Sequence, residues 1–177
     1  MVMNKDNDEE ILPRVDEEGN VIGKVTRGEA HCGTRILHPV VHLHLFNSKG
    51  ELFLQLRPEW KPIQPNKWDT ACGGHIEYGE DVKEALKREV FEELGVTSYE
   101  PELIKKYVFE GKIDHEYVYV FKAVYDGEVT PSATELAGGR FFTKQELSDR
   151  LGTDFFTPNF EGEYNSFLKD IIEAVSL

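Results

Sequence analysis

The stretch Gly73–Val96, GGHIEYGEDVKEALKREVFEELGV, sets Glu89, Glu92 and Glu93 close together, with Glu84 slightly upstream. Its apolar residues predict a helix over Asp81–Leu94. Val82, Leu86, Val90 and Leu94 recur every four residues with Ala85 beside them, and Gly95 stops the run. Residues three and four apart are neighbours on a helix, so the three glutamates share a strip along the apolar stripe. Like charges at that spacing destabilise a bare helix. Lys87 and Arg88 offset part of the charge, and a solvated acidic face is the ordinary explanation. Two features favour chemistry instead. The carboxylates flank the stripe rather than oppose it, and a Gly-Gly turn, where backbone can approach a ligand, precedes the helix. Oxygen donors converging from one helix face suit a hard divalent cation, Mg²⁺ or Mn²⁺. Such a cation cancels the repulsion and binds a diphosphate.

The same stretch resembles the Nudix box: glycine, five residues, glutamate, seven residues, arginine-glutamate, an aliphatic, any residue, two glutamates, any residue, glycine, an aliphatic. Gly74, Glu80, Arg88, Glu89, Val90, Glu92, Glu93, Gly95 and Val96 fill every fixed position. The resemblance implies the Nudix fold, an α/β (α+β) arrangement with a mixed β-sheet sandwiched between α-helices. It also implies hydrolysis of a diphosphate linked to some other group. Carried over by position, Glu89, Glu92 and Glu93 look like metal ligands, and Gly74 would offer its carbonyl. Glu80 and Arg88 would hold the loop–helix–loop together. In such a site the cation polarises a phosphoryl oxygen and acidifies a bound water, whose proton a carboxylate takes. Glu92 or Glu93 is the expected base, with Glu116 and Glu135 as rivals outside the box. Glu135, in ATELAGGRFF, resembles a glutamate that many Nudix proteins place before their final strand; an ordinary loop carboxylate is the alternative.

A second resemblance involves the histidines: His31, His38, His42, His44, His75 and His115. The segments RGEAHCGTRILHPVVHLHLF, LQLR and WDTACGGH are similar to the isopentenyl diphosphate isomerase branch of the superfamily. That branch holds a metal with two histidines seven positions apart, a third in the glycine turn, and two acids on a later strand. The matching positions are His31, His38, His75, Asp114 and Glu116. Asp114 and Glu116, two apart, point to one side of a strand. Imidazole with carboxylate suits Zn²⁺, Mn²⁺ or Fe²⁺ as well as Mg²⁺. The alternative is an inherited cluster that no longer binds metal. The isomerases use a cysteine just before the glycine-histidine pair, where this chain has Gly73. Cys72 lies one residue upstream, a shift that turns a strand side chain to the other face, and reads as a small buried residue. His44 and His115 read as satisfied polar groups.

Arg27 and Arg57 are the candidate contacts to diphosphate oxygens, since guanidinium groups bind them bidentately. Lys61 reads as surface charge and Trp68 as a buried structural residue. Asp69 lies either near a metal or on a backbone cap.

These residues need elements to position them. ILPRV and VIGKV read as strands joined by a turn at EEGN. Ile36–Phe46 and Glu51–Arg57 alternate as strands around NSKG, with Leu52, Leu54 and Leu56 on one face and Phe53, Gln55 and Arg57 on the other. Three prolines make Pro58–Asn66 a loop. WDTACGGHI reads as one strand running into a glycine turn. LIKKYVFEG and HEYVYVFKAVY read as a strand pair and GRFFT as a further strand. Thr143–Leu151 and Glu161–Val175 read as helices. The last carries Phe167, Leu168, Ile171, Ile172 and Val175, which suit packing on its own domain or on a second copy in a homodimer.

At 177 residues, the chain reads as an acidic flexible tail, residues 1–10, followed by a single domain over 11–177. Its hydrophobic and charged fractions, 40% and 30%, are those of a globular protein. A net charge of −13 argues against a nucleic-acid polymer as partner. No apolar run has the length of a membrane span, and the N-terminus lacks a signal peptide's apolar core, so a cytoplasmic protein without a membrane partner is expected. Cys32 and Cys72 form no CxxC pair. The leading expectation is an Mg²⁺- or Mn²⁺-dependent hydrolase of a phosphoanhydride in a small diphosphate-linked metabolite. The alternatives are an isopentenyl diphosphate isomerase-type enzyme and a non-catalytic sensor of a diphosphate metabolite.

Overall fold

The computed structural model describes residues 7–175, without the side chain of Val175. Residues 1–6 of the expected tail, and the Val175 side chain of the C-terminal stripe, lie outside the described residues. Strands β1 (Ile11–Val15) and β2 (Val21–Thr26) pair antiparallel as a separate sheet. The second sheet contains β3 (His38–Phe46), β4 (Leu52–Leu56), β5 (Trp68–Thr70), β6 (Cys72–His75), β7 (Glu102–Glu110), β8 (His115–Val124) and β9 (Gly138–Phe142). Its order is β5-β4-β3-β8-β7, with β6 also on β3 and β9 also on β4. The helices are α1 (Arg27–Ala30), α2 (Val82–Leu94), α3 (Lys144–Arg150), α4 (Pro158–Glu163) and α5 (Lys169–Val175). The fold is α+β with a mixed sheet. Among the described residues no helix is long and apolar enough to cross a membrane.

The chain divides into two compact units, and β3, β6, β7, β8 and α2 contribute to both. The first unit takes the chain to His42, Gly73–Arg88 and Leu103–Phe121. Residues 7–10 of the expected tail belong to it and are tied down: Arg27 N–H donates to the Glu10 carbonyl and Gly28 N–H to that of Asp8. Leu12, Val25 and Ala30 form one small core, and Val15, Leu37 and Tyr117 another. Helix α1, not among the expected elements, starts with a capping box. Glu29 N–H donates to Thr26 Oγ1, and Thr26 N–H donates to Glu29 Oε2. The sequence signature TRGE announces it. Its consequence is functional, because the residue that caps the far end of α1 is His31.

The second unit takes Leu43–Cys72, Glu89–Glu102 and the chain from Lys122 onward. Strand β4 is its centre, paired antiparallel with β3, β5 and β9. Leu52 and Leu54 enter a core with Phe46, Phe142, Leu147, Phe156, Phe160, Tyr164, Leu168 and Ile172. The opposite face of β4 is covered too, so Phe53 and Gln55 are buried. Gly139 is required here, since a Cβ at that position would lie 2.5 Å from the Phe53 ring.

Three expectations change in detail. WDTACGGHI is not one strand but two, β5 and β6, broken at Ala71. The C-terminal helix begins earlier, at Pro158, because Thr157 caps it and proline suits the first helical position. It is also interrupted by a π-helical turn over Tyr164–Leu168. Leu168 and Ile172 of the C-terminal stripe are buried in their own unit's core, with Phe167 and Ile171 packed against it.

Helix α2 forms as its sequence predicts. Asp81 Oδ1 accepts Lys83 N–H at 2.9 Å and caps the N-terminus. Ala85, Leu86, Val90 and Leu94 are buried. Gly95 ends the helix with φ +67°, its N–H donating to the Phe91 carbonyl.

Candidate functional site

Within the first unit the structure gathers His31, His38 and His75, whose nitrogens lie within 4.8 Å of one another. His31 caps α1, His38 opens β3 and His75 closes β6. The ring centroids are 5.0–5.5 Å apart. His38 Nδ1 lies 2.9 Å from the Ile36 carbonyl, which can only accept, so Nδ1 carries the proton and Nε2 is a bare lone pair. That Nε2 is buried without a hydrogen-bond partner. His31 Nε2 lies 2.9 Å from His75 Nε2, and His31 Nδ1 lies 2.6 Å from Asp114 Oδ1. Glu116 Oε1 is 4.0 Å from His38 Nε2. Burial holds His38 below the usual imidazole range. It holds His75 well below, helped by the positive charge of Arg27. The Asp114 carboxyl is lowered by its hydrogen bond from His31.

The donor chemistry fits a cation. Three imidazoles face one another, one with an orphaned buried lone pair, and such nitrogen donors are what a cation takes.

The box residues Glu80 and Arg88 form a bidentate pair, 2.9 Å at both Nε–Oε1 and Nη2–Oε2. Glu80 also accepts Glu77 N–H, and Arg88 donates to the His75 carbonyl. The pair therefore ties the β6–α2 loop to the helix. Gly74 lies in β6 beside His75, and a Cβ on Gly73 would press to 3.3 Å on the His42 ring. Arg27 pairs with Glu10 at 3.4 Å.

Within the second unit the three box glutamates are graded in exposure: Glu92 exposed, Glu89 half-buried, Glu93 buried. Gln55 donates its side-chain amide to Glu93 Oε2 at 3.1 Å and to the Ala71 carbonyl at 3.3 Å. The Glu93 carbonyl accepts Ser132 N–H, and Ser132's carbonyl accepts Glu135 N–H, so the loop bearing Glu135 hangs from the end of α2. Burial pushes the Cys72 thiol far up, and the charges of Glu93 and Glu89, then Glu135, push it further. All three carboxylates belong to the same unit as Cys72. The set is all oxygen, which fits Mg²⁺ or Mn²⁺.

Arg57, the other candidate for diphosphate oxygens, makes its contacts within the second unit. Its guanidinium donates to the carbonyls of Ile63 and Gln64 and lies 3.5 Å from Asp69, stapling the proline-rich loop. Asp69 Oδ1 accepts Thr70 N–H and the Thr157 hydroxyl, a backbone and helix-cap role. Trp68 packs edge-on against Phe142 and stacks on Phe155. His44 Nε2 meets Glu163 Oε2 at 2.6 Å inside the core, and His115 Nδ1 donates to the Arg35 carbonyl. Gln55 was not singled out from its sequence; a lone amide in the apolar run LFLQL is the signal that marks it.

The sequence model of the NUDIX domain matches residues 36–160, which include the whole box. The chain belongs to the Nudix family. This Nudix protein is 38% identical over 126 residues to an uncharacterized Nudix hydrolase of Listeria innocua, covering 70% of this chain and 74% of that one. It is 32% identical over 159 residues to an isopentenyl-diphosphate Delta-isomerase of Streptomyces coelicolor, covering 85% and 79%. A MutT protein from Methanosarcina mazei superposes with a TM-score of 0.64 at 27% identity, over 76% of this chain and 95% of that one. DR0079 from Deinococcus radiodurans shares the fold, with a TM-score of 0.72 at 24% identity over 95% and 100% of the two chains.

Proposed function

We propose that this Nudix protein is a hydrolase cleaving a phosphoanhydride bond in a small diphosphate-linked metabolite. The observation that carries it is the complete box, with Glu89, Glu92 and Glu93 graded from half-buried to exposed to buried on one helix. Glu89 and Glu93 would hold Mg²⁺ or Mn²⁺, which would polarise a phosphoryl oxygen and acidify a water. Gln55 fixes the Glu93 carboxylate, so Glu93 serves as a positioned anchor. Glu92, on the solvent side, is the better placed of the two expected bases to take the water's proton, with Glu135 as its rival. The imidazole cluster, with Glu116, would hold a second cation, with Zn²⁺, Mn²⁺ or Fe²⁺ suited to its nitrogen donors.

A second reading, an isomerase acting on isopentenyl diphosphate, is favoured by that imidazole–acid cluster and by the Streptomyces relative. The cysteine position counts against it. Gly73 stands there, and the neighbouring Cys72 thiol is fully buried and held protonated.

Phosphorus NMR with Mg²⁺ and isopentenyl diphosphate, then nucleotide and sugar diphosphates, tests both. Release of phosphate or of a phosphomonoester supports hydrolysis. Conversion to dimethylallyl diphosphate supports the isomerase. Tight binding without turnover of any diphosphate would sink both in favour of a sensor.

A further inference from the structure

Resemblance to the isomerase branch makes Asp114 one of two acids that bind the metal directly. The geometry points to a different role: we infer that Asp114 is a positioning residue that orients His31, and that Glu116 is the cluster's single carboxylate ligand. This rests on the reading of the three imidazoles as a metal centre.

The nitrogens that face one another are His31 Nε2, His75 Nε2 and the partnerless His38 Nε2. Asp114 engages the other nitrogen of His31. Its Oδ1 accepts a hydrogen bond from Nδ1 at 2.6 Å and does not face Nε2. Glu116 Oε1 lies 4.0 Å from His38 Nε2, one of the three facing nitrogens. An aspartate is one methylene shorter than a glutamate, so a side chain seated behind the ring has little reach past it.

His38 shows the same device with a different partner. Its Nδ1 proton goes to the Ile36 carbonyl, and its Nε2 is left pointing at the cluster. A carboxylate or carbonyl on the outer nitrogen fixes the tautomer and makes the inner nitrogen a better donor. Three imidazoles plus one carboxylate is a four-donor set, which suits tetrahedral Zn²⁺ better than the six-coordinate preference of Mg²⁺. Asp114 acting from outside is what keeps the donor count at four.

The test uses the full chain carrying Glu92→Gln and Glu93→Gln, so that the box does not add a second cation. Zn²⁺ affinity is measured against a chromogenic chelator, and coordination number from the visible spectrum of the Co²⁺-loaded protein. Asp114→Asn should lower Zn²⁺ affinity about 10–100-fold and leave the Co²⁺ bands unchanged in position and intensity. Glu116→Gln should change the bands. X-ray absorption of the Zn²⁺ form without any change at Asp114 should give three imidazoles and one oxygen, which protects the test from a misfolded variant. A second carboxylate oxygen in that spectrum, or Co²⁺ bands altered by Asp114→Asn, would overturn the positioning role while the metal centre stands. Failure to bind one Zn²⁺ or Co²⁺ would overturn the metal centre and the role together.

Discussion

The side-chain amide of Gln55, on β4, donates to Glu93 Oε2, near the end of α2, at 3.1 Å, and both residues are buried. A carboxylate in that position needs either a donor or a cation. Gln55→Leu removes this amide donor and should destabilise the metal-free protein by about 1–3 kcal/mol, read from urea unfolding. Saturating Mn²⁺ should shrink the deficit. An unchanged midpoint without metal would mean that the hydrogen bond contributes nothing.

Replacing the exposed and buried members of the box separates their roles. Glu92→Gln should lower kcat by about 10²–10⁴-fold with little change in the Mn²⁺ concentration needed for half-activation. Glu93→Gln should raise that concentration as well. Steady-state kinetics over a Mn²⁺ titration, on a substrate found by phosphorus NMR, distinguishes them. Full turnover in both variants would remove the mechanism.

The two cysteines should differ sharply in reactivity. Cys32 is exposed, whereas the Cys72 thiol is buried and held protonated by burial and by the charges of Glu93, Glu89 and Glu135. Iodoacetamide at pH 8 should add once to the native protein, at Cys32, and twice in urea, as counted by mass spectrometry. The sign of the pH effect follows. The unfolded Cys72 thiol ionises near its ordinary value of about 8.5 while the folded one stays protonated. Stability is therefore unaffected by this group below that pH and falls as pH rises above it. Cys72→Ala should flatten that alkaline slope in chemical unfolding.

His44 and Glu163 meet at 2.6 Å with neither side chain more than 1% exposed. Glu163→Ala should cost about 1–3 kcal/mol, since it removes the carboxylate that meets the buried imidazole. The paired change His44→Phe with Glu163→Leu should recover much of the loss. A double-mutant cycle by denaturant unfolding measures the coupling, and additive losses would contradict it.

Local signals carried much of this protein. The apolar period of α2, its Asp81 cap and its Gly95 stop depend on neighbours three or four residues away, and the box spacing is legible for the same reason. The TRGE box of α1 and the Thr157-Pro158 start of α4 are equally local and could be read directly. Tertiary structure decided what spacing cannot encode. Strand register and core packing chose which glutamate is buried, through a partner 38 residues away. They brought Asp114 Oδ1 to 2.6 Å from His31 Nδ1 across 83 residues, a pairing that the isomerase resemblance does not indicate. They also turned Arg57 onto the carbonyls of its own loop. A helix face follows from the chain's own period, but the partner opposite a side chain is set by which distant segments share a sheet and a core.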